Sequence, residues 1–471
     1  MDKPDPQIRR ESGVTRRDFL KTGAFSVGVG MAAGPLAACK TPGPGRPQVR
    51  VLHTPDIGPA PQQLLAAPPM ETVRIGFVGV GGQGTSHVRN LLRIAGVEIR
   101  AICDIVDDHA LHSQKLVVDA GFAAPTLYTR GERDFERMCA EEDLDLVFNA
   151  TPWKWHVPVC IAAMTNGKHA ATEVPAATTV EGCWELVEAA EKHRLHCVMM
   201  ENCNYGRSEL MVFNMVRQGL LGEVLHAECG YLHDLRAIKF APEGEGLWRR
   251  DHSRSRNGNL YPTHGLGPVA QCMDINRGDR FDHLVSMSSP SRGLQLYAQD
   301  HYPEESPMRS EKFVLGDVNV SLIKTARGRT IFLSHDTNLP RPYSRINMVQ
   351  GTRGLFQGYP DRVYIEGRSP SHQWEPADNY RSEFDHPLWQ QLEEESKGAG
   401  HGGMDFLEDY RLISCLRNGL PTDMNVYDAA TISAVCELTE VSVANGSAPI
   451  SFPDFTRGRW ETWPEVDLQS S

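Results

Sequence analysis

The chain has 471 residues, of which 40% are hydrophobic and 23% are charged, and its formal net charge is −12. This length exceeds what one compact core usually holds and predicts two domains. The acidic balance argues against nucleic acid as the main partner and is compatible with an uncharged small-molecule substrate.

The first forty residues have the pattern of an export signal. Arg16 and Arg17 precede an apolar, Gly/Ala-rich stretch that is too short and too weakly hydrophobic to span a membrane. Twin arginines in this position are typical of Tat signals, and residues 36–39 (LAAC) resemble a lipobox. We therefore expect residues 1–39 to direct Tat export to the periplasm or to a membrane-anchored lipoprotein. In that case Cys39 carries the lipid and provides the only membrane contact; the alternative is a disordered basic tail.

The Pro-rich segment 40–71 is predicted to be a linker, and the folded part begins after it. Residues 73–80 (VRIGFVGV) are apolar and β-branched, as in a buried parallel strand. They lead into a G-x-G-x-x-G pattern and a helix predicted over residues 85–95, whose amino end favours phosphate groups. The predicted phosphate-binding turn consists of Gly79, Gly81, Gly82, Gln83 and Gly84.

A second predicted strand, residues 97–103, ends in Asp104. An acid at this position can accept hydrogen bonds from both adenosine ribose hydroxyls, and it would repel a 2′-phosphate. The sequence therefore predicts NAD, rather than NADP, as the cofactor.

Three more predicted strands end in polar or aromatic residues. They cover residues 144–150, the HAATEVPAA run at 169–177 and the CVMM run at 197–200. Ligands of open α/β sheets bind at the carboxyl ends of the strands. The residues predicted to line the cofactor there are Trp153, Lys154, Trp155, His156, Glu173, Val174 and Asn202.

After residue 224 the pattern changes to six strand-like runs separated by loops, followed by a helix predicted over residues 427–445. We therefore predict an α/β protein. A doubly wound Rossmann domain with a parallel sheet occupies residues 72–202. An α+β domain with a large, mainly antiparallel open sheet occupies residues 203–471 and binds the substrate.

Within that second domain, residues 259–264 (NLYPTH) precede a helix predicted over 265–275. Tyr261 and His264 can project from adjacent turns, with Pro262 and Thr263 between them. Because histidine titrates near neutral pH, His264 is suited to proton transfer.

The eleven cysteines are scattered without a C-x-x-C pair, and several lie in apolar runs, which favours free buried thiols over disulfides or metal ligands. His252, His264 and His335 lack the spacing of metal ligands, so we predict no metal.

The ordered set GxGxxG, Asp104, ATPxxxH and E-x-P resembles the Gfo/Idh/MocA oxidoreductases over residues 73–202. In most of those dehydrogenases the middle residue of E-x-P is a catalytic lysine, whereas here it is Val174. Valine can neither donate a hydrogen bond nor move a proton. This departure puts ordinary dehydrogenase chemistry in doubt.

Longer motifs over residues 74–460 resemble glycoside hydrolase family 109. They include ATPWKWHVPV, ENCNYGR, NGNLYPTHGLGPVAQ, PRPYSRINMVQGTRG and HGGMDF. The resemblance implies a glycosidase that hydrolyses terminal α-N-acetylgalactosamine, and so a small-molecule or glycan substrate that carries this sugar. It also implies oxidation, elimination, addition and reduction with no net redox change.

The same resemblance implies roles for individual residues. Tyr231, Arg249 and Tyr343 match sugar-contacting positions, and residues 261–264 belong to the same site. His264 would transfer a proton, with Tyr261 and Tyr343 as candidates for acid or base. The sequence does not order these roles, and it leaves a homo-oligomer among the options.

Two alternatives remain at this point. An NAD-dependent sugar dehydrogenase would share every Rossmann residue and differ in net redox turnover. A non-catalytic lipoprotein that binds NAD and sugar would show binding without turnover.

Overall fold

A computed structural model describes residues 49–52 and 54–468 of the chain. The predicted Tat signal and Cys39 lie outside the described residues. No helix in the described part is both long and apolar enough to cross a membrane.

The first half forms a six-stranded parallel sheet in the order β3-β2-β1-β4-β5-β6 with helices between the strands. Strands β1, β4 and β5 are almost completely buried, as expected for apolar runs covered on both faces. The elements are β1 (Val73–Val78), α1 (Gly82–Leu91), β2 (Val97–Cys103), α2 (Asp107–Asp119), β3 (Thr126–Tyr128), α3 (Asp134–Glu141), β4 (Leu146–Asn149), α4 (His156–Thr165), β5 (His169–Thr172), α5 (Val180–His193) and β6 (Cys197–Met199).

The second half forms a nine-stranded sheet in the order β14-β13-β12-β11-β7-β10-β9-β8-β15, antiparallel except for the β10–β7 pair. The elements are α6 (Arg207–Arg217), β7 (Val224–Leu232), α7 (Arg236–Phe240), α8 (Trp248–Ser255), α9 (Thr263–Cys272), β8 (Phe281–Ser288), α10 (Gly293–His301), β9 (Val318–Thr325), β10 (Thr330–Asp336), β11 (Met348–Gly351), β12 (Gly354–Gln357), β13 (Arg362–Ile365), β14 (Glu375–Pro376), α11 (Arg381–Phe384), α12 (Pro387–Leu392), α13 (Met404–Asn418), α14 (Val426–Ser433), α15 (Val435–Ala444) and β15 (Ile450–Ser451).

One face of this sheet is covered by helices, because α9 packs on β7 and α15 packs on β8. The strands alternate accordingly: in β9, Ser321 and Ile323 are buried while Leu322 on the opposite face is 55% exposed. The predicted fold class, a Rossmann sheet plus a large and mainly antiparallel sheet, is confirmed.

Several predicted boundaries shift. The first strand ends at Val78 because Gly79 turns the chain with a φ of +81°. The predicted helix 427–445 is two helices, α14 and α15, separated by Ala434 alone. The helix predicted to start at residue 265 starts at Thr263 and therefore includes His264 in its first turn.

The described part of the predicted linker is not a free tether. Ala60 and Ala67 are buried, and Arg50 pairs with Ile450 in an isolated β-bridge. The Arg459 side chain also donates a hydrogen bond to the Ala60 carbonyl at 3.3 Å. Residues 49–52 and 54–71 of the segment contain no helix or named strand, but they pack along the folded body.

The prediction of free buried thiols is confirmed for the cysteines that the structure describes. All ten are unpaired and buried. They are Cys103, Cys139, Cys160, Cys183, Cys197, Cys203, Cys229, Cys272, Cys415 and Cys436.

Candidate active site

The glycine turn after β1 is shaped to hold a dinucleotide phosphate. A Cβ atom on Gly84 would lie 2.1 Å from the Gly79 carbonyl oxygen, so α1 can approach β1 only without a side chain there. At Gly81 and Gly82 a Cβ would meet nothing within 4 Å, which leaves open space above the turn. Helix α1 has no side-chain cap, so its first N–H groups are available to an anion. These features fit a bound pyrophosphate.

Asp104 lies beside this turn at the carboxyl end of β2. Its Oδ2 atom accepts a hydrogen bond from the Val80 N–H at 2.8 Å, and Oδ1 accepts one from the Val106 N–H at 2.8 Å. The carboxylate is thereby fixed next to the phosphate cradle, and its remaining lone pairs can accept from ribose hydroxyls. This arrangement fits NAD.

The four residues predicted after β4 have different surroundings. Trp153 is buried, and its Nε1 atom donates to the Val174 carbonyl at 3.1 Å. His156 is also buried, with its ring nitrogens 2.7 Å and 2.8 Å from the carbonyl oxygens of Pro175 and Thr151. It therefore holds the turn together.

The other two of these residues face outward. The Lys154 side chain is exposed and pairs with Glu132 at 3.0 Å. Trp155 is half-buried against Phe135, with ring centroids 5.8 Å apart. Within residues 153–156, the structure brings only the Trp153 side chain to the aromatic cluster described below.

Glu173 belongs to a buried charge network that the sequence did not predict. Its Oε1 atom lies 2.9 Å from His87 Nε2, and His87 Nδ1 lies 2.8 Å from Asp409 Oδ1. Burial alone would lower the pKa of His87, but the two carboxylates raise it well above its usual value. Because each ring nitrogen faces a carboxylate oxygen, the doubly protonated imidazolium is the form that satisfies both contacts.

Asn202 and Gln83 both contact Asp405, which lies one turn before Asp409 on helix α13. Asn202 Nδ2 donates to Asp405 Oδ1 at 2.7 Å, and Gln83 Nε2 lies 3.4 Å from Asp405 Oδ2. His401 Nδ1 lies 2.8 Å from the same Oδ2 atom. Thus α13 contacts both predicted cofactor-binding residues.

The substrate candidates converge in one aromatic cluster at the edge of the second sheet. The Tyr231 ring centroid lies 4.4 Å from Tyr261, 5.4 Å from His264 and 6.0 Å from Tyr343. Tyr261 is also 5.9 Å from Trp153, which places the cluster beside the cofactor edge of the first sheet. Pro262 and Thr263 form the start of α9 between the two predicted catalytic residues.

The three tyrosines are largely shielded from solvent, and burial raises the pKa of Tyr231, Tyr261 and Tyr343 above the usual value. Their hydroxyls therefore remain protonated at neutral pH and act as hydrogen-bond donors. Tyr343 also accepts a hydrogen bond from Arg345 Nη1 at 3.2 Å.

Arg249, not its neighbour Arg250, faces this cluster. Its guanidinium carbon lies 5.4 Å from the Trp153 ring, 4.4 Å from Trp248 and 5.6 Å from Tyr261, and the side chain pairs with Glu245. Arg250 instead lies over Phe240 in the neighbouring small core.

His264 is held by a buried carboxylate. Its Nδ1 atom lies 2.7 Å from Oε1 of Glu201, whose side chain is fully buried. Burial would raise the pKa of Glu201, but the His264 charge and the hydrogen bonds from His264 and the Cys203 N–H lower it overall. Glu201 therefore stays ionised and orients the His264 ring.

A second histidine, His233, also enters the site. Its Nδ1 atom lies 2.9 Å from the Tyr231 hydroxyl, and its ring lies 5.0 Å from Tyr343. No role was predicted for His233, although its position two residues after Tyr231, directly after β7, was a usable signal.

Glu201, Cys203 and His264 bring potential metal-ligand atoms within 4.8 Å of one another. The Glu201–His264 hydrogen bond accounts for this proximity without an ion. Burial also raises the pKa of the Cys203 thiol well above its usual value, which disfavours a thiolate ligand.

Two family models match the chain. Residues 73–201 match the oxidoreductase family with the NAD-binding Rossmann fold, and residues 205–462 match the C-terminal domain of glycosyl hydrolase 109. The first match, together with the glycine turn and Asp104, confirms NAD as the cofactor.

Curated relatives have the same family name, and the alignments cover most of their length. A glycosyl hydrolase family 109 protein of Solibacter usitatus is 51% identical over 397 residues, which cover 84% of this chain and 90% of the relative. One from Shewanella pealeana is 47% identical over 455 residues, covering 95% and 98%.

Solved structures share the fold. Levoglucosan dehydrogenase in complex with NADH superposes with a TM-score of 0.64 at 18% identity and covers 81% of this chain and 100% of that one. The scyllo-inositol dehydrogenase of Lactobacillus casei with NAD(H) and scyllo-inositol has a TM-score of 0.58 at 14% identity, with 81% and 99% coverage. On its sequence matches, the chain belongs to glycosyl hydrolase family 109, and it carries an NAD-binding Rossmann domain.

Proposed function

We propose that this protein is an NAD-dependent glycosidase that hydrolyses terminal α-N-acetylgalactosamine residues with no net redox change. Membership of glycosyl hydrolase family 109 supports the glycosidase class. The observation that carries the proposal is the Glu201–His264 pair, 2.7 Å apart, set beside the cofactor edge among two buried tyrosines, Tyr231 and Tyr261, and the half-buried Tyr343.

The Rossmann turn, Asp104 and Asn202 would hold the cofactor. Bound NAD would supply reversible hydride acceptance at a sugar carbon. If the hydride were returned within each turnover, the cofactor would not need to leave, which would suit a protein exported from the cytoplasm.

His264 is the residue that we assign to proton transfer at the carbon-3 hydroxyl of the sugar. Glu201 occupies Nδ1, so Nε2 is the nitrogen free to exchange a proton with the substrate. A ketone at carbon 3 would acidify the proton on carbon 2, and its removal would allow the aglycone to leave from carbon 1. Water would then add across the resulting double bond, which places a hydroxyl on carbon 1 and restores the proton on carbon 2.

Tyr261 and Tyr343 are the candidates for the remaining proton transfers. Their raised pKa values favour the protonated forms, so each enters the reaction as a donor before it can act as a base. Tyr231 and Arg249 are assigned to sugar contacts, and Tyr231 is held in place by His233.

A sugar dehydrogenase is the second candidate, and the fold of levoglucosan dehydrogenase favours it. Against it stands Val174, which is buried and accepts a hydrogen bond from Trp153 only through its carbonyl. Its side chain cannot replace the lysine of those dehydrogenases.

The assay that separates these candidates uses a p-nitrophenyl α-N-acetylgalactosaminide with no added NAD. We expect nitrophenol release without accumulation of NADH, and His264→Ala should abolish most of it. His226→Ala, on the exposed sheet face, is the matched control and should keep wild-type activity. Stoichiometric NADH with free oxidised sugar would establish the dehydrogenase, and sugar binding without turnover would establish a binding protein.

A panel of glycosides tests the stereochemistry of the cleaved linkage and the identity of the sugar. We expect the α-linked N-acetylgalactosaminide to be cleaved fastest among α- and β-linked N-acetylhexosaminides. A preference for another member would replace the proposed substrate while leaving the glycosidase class in place.

We also propose export by the Tat route with lipidation at Cys39. The twin arginines and the LAAC run support it, and the ten buried free thiols suit a protein that is folded before it meets an oxidising compartment. Replacing Arg16 and Arg17 by lysine should leave the protein in the cytoplasmic fraction. Cys39→Ala should release it from membranes.

A further inference from the structure

A negative charge is left uncompensated at the cofactor edge of the first sheet. It arises because His87 lies between two carboxylates. The His87 Nε2 atom is 2.9 Å from Glu173 Oε1, and Nδ1 is 2.8 Å from Asp409 Oδ1. One imidazolium neutralises only one carboxylate, so the three groups together keep one net negative charge at neutral pH.

The neighbouring charged groups do not cancel this charge. Asp405 is paired with His401, whose Nδ1 atom lies 2.8 Å from its Oδ2 atom, so this pair is neutral or negative but never positive. Arg249, which faces the aromatic cluster, is already paired with Glu245. The two oxygens of Glu408 are buried without a hydrogen-bond partner among the described residues. Burial raises the pKa of Glu408 well above its usual value, so this carboxyl stays uncharged.

The excess charge reaches the cleft at Glu173. The Asp409 side chain is fully buried, whereas the Glu173 side chain is 18% exposed. Its Oε2 atom accepts a hydrogen bond from the Val174 N–H at 3.3 Å. Burial raises the pKa of Tyr261, and the negative charge of Glu173 adds to that effect. The Glu173 charge therefore acts within the cleft that joins the cofactor edge to the substrate cluster.

The topology places Glu173 in the nicotinamide half of the cofactor site. A dinucleotide lies across the carboxyl ends of a doubly wound sheet, with one nucleotide over each half. Asp104 follows β2 and belongs to the adenosine half, so the other nucleotide belongs to the half formed by β4, β5 and β6. Glu173 directly follows β5. The nicotinamide ring is a cation in NAD⁺ and neutral in NADH, so a fixed negative charge in this half stabilises only the oxidised form.

We propose that Glu173, held by the His87–Asp409 pair, makes this protein bind NAD⁺ in preference to NADH. A protein that returns its hydride in every turnover would have to rest in the oxidised form, and this preference would supply that resting state. The inference concerns the cofactor alone and goes beyond the proposed function, because it does not depend on which sugar is bound.

Competition between the two nucleotides measures this preference. The purified protein is dialysed to equilibrium against equal concentrations of NAD⁺ and NADH, starting from either loaded form, and the nucleotides released by denaturation are quantified. We expect bound NAD⁺ to exceed bound NADH on the wild type. Glu173→Gln keeps the shape and an acceptor oxygen but removes the charge. It should lower the bound NAD⁺/NADH ratio by about five- to fiftyfold, as expected for one charge a few ångströms away in a partly hydrated site.

Three further variants separate the charge from a general loss of binding. Glu173→Asp keeps the charge and should restore part of the ratio. Asp104→Asn acts on the adenosine half, so it should lower the binding of both nucleotides and leave their ratio unchanged. Glu408→Gln replaces a carboxyl that is already uncharged, and it should also keep the wild-type ratio.

A wild-type protein that binds as much NADH as NAD⁺, or more, would overturn the proposal whether or not Glu173→Gln folds. An unchanged ratio in folded Glu173→Gln would overturn it as well. A shift in Glu408→Gln as large as that in Glu173→Gln would move the charge to Glu408 and overturn the assignment. Since these measurements contain no sugar, their outcome is independent of the glycosidase assay.

Discussion

His264 Nδ1 lies 2.7 Å from Glu201 Oε1, although the two residues are 63 positions apart. The carboxylate comes from the first polar position after β6 and the imidazole from the first turn of α9. Their hydrogen bond therefore joins the cofactor edge of the first sheet to the substrate cluster of the second.

Replacing Glu201 by glutamine should disable this pair. The neutral amide loses the charge that stabilises a protonated His264 and no longer selects its tautomer, so we expect kcat to fall by about 10²–10⁴-fold while KM changes less. Steady-state kinetics measure this, because they report kcat and KM separately.

Glu201→Asp keeps the charge and should recover part of the lost rate. Bound NAD and the melting temperature serve as controls for both variants. An unchanged kcat in Glu201→Gln would show that Glu201 is only a structural partner.

Asp104→Asn should weaken NAD binding. The asparagine side chain offers one acceptor oxygen, so one of the two backbone N–H groups that Asp104 now satisfies would face an NH₂ group. We expect a loss of about 1–3 kcal/mol, at least tenfold in affinity for most of that range. The nucleotide released from denatured, purified protein reports the occupancy.

Asp107→Asn is the matched control, since Asp107 is exposed at the start of α2. Equal NAD content in both variants would show that Asp104 does not contribute to NAD binding.

The glycine turn allows a prediction that separates folding from binding. Gly84→Ala places a Cβ 2.1 Å from a backbone oxygen, so it should destabilise the fold by roughly 1–3 kcal/mol or more. The Cβ atom of Gly81→Ala points into open space, so this variant should fold normally. The same atom occupies space that the pyrophosphate needs. Thermal unfolding and NAD content together test both, and a Gly81→Ala protein with full NAD content would contradict the cradle.

His87→Asn should reveal a pH-dependent contribution to stability. The native pKa of His87 is raised, so its stabilisation is complete below the unfolded value of about 6.5 and is lost as pH rises through the native pKa. Removing the ring leaves the carboxylate of Asp409 buried without its partner, at a cost of about 3–5 kcal/mol near pH 6.

Urea unfolding of wild type and variant between pH 6 and 9 measures the difference, which should shrink toward high pH. His301→Asn, a change on the exposed surface, should show no such trend. A difference that grows with pH would mean that His87 is neutral in the folded protein.

The strands were predictable because their composition is decisive. The run at 97–103 forms β2 at those residues, since one apolar segment between two turns fits a buried strand. Strand β12, Gly354–Gln357, was missed because four residues that begin with glycine carry no periodic signal. It forms because β11 and β13 pair with it on both sides.

The site residues also fall into a predictable group and an unpredictable one. Residues in contiguous motifs, such as Tyr261 and His264, could be identified from the sequence and come together in the structure. Asp409 could not be placed, because its contact with His87 spans 322 positions and depends on how α13 packs on α1. The opposite directions of Arg249 and its neighbour Arg250 likewise could not be predicted, because they depend on how α8 packs.

Helix α13 completes the cofactor end of the first sheet, through Asp405 and Asp409, from near the far end of the chain. A nascent polypeptide that has left the ribosome only as far as β6 already contains every strand of that sheet but lacks these carboxylates. Stable capture of the dinucleotide should therefore wait until residues 404–409 have been synthesised, and fragments that end before residue 404 should release it readily.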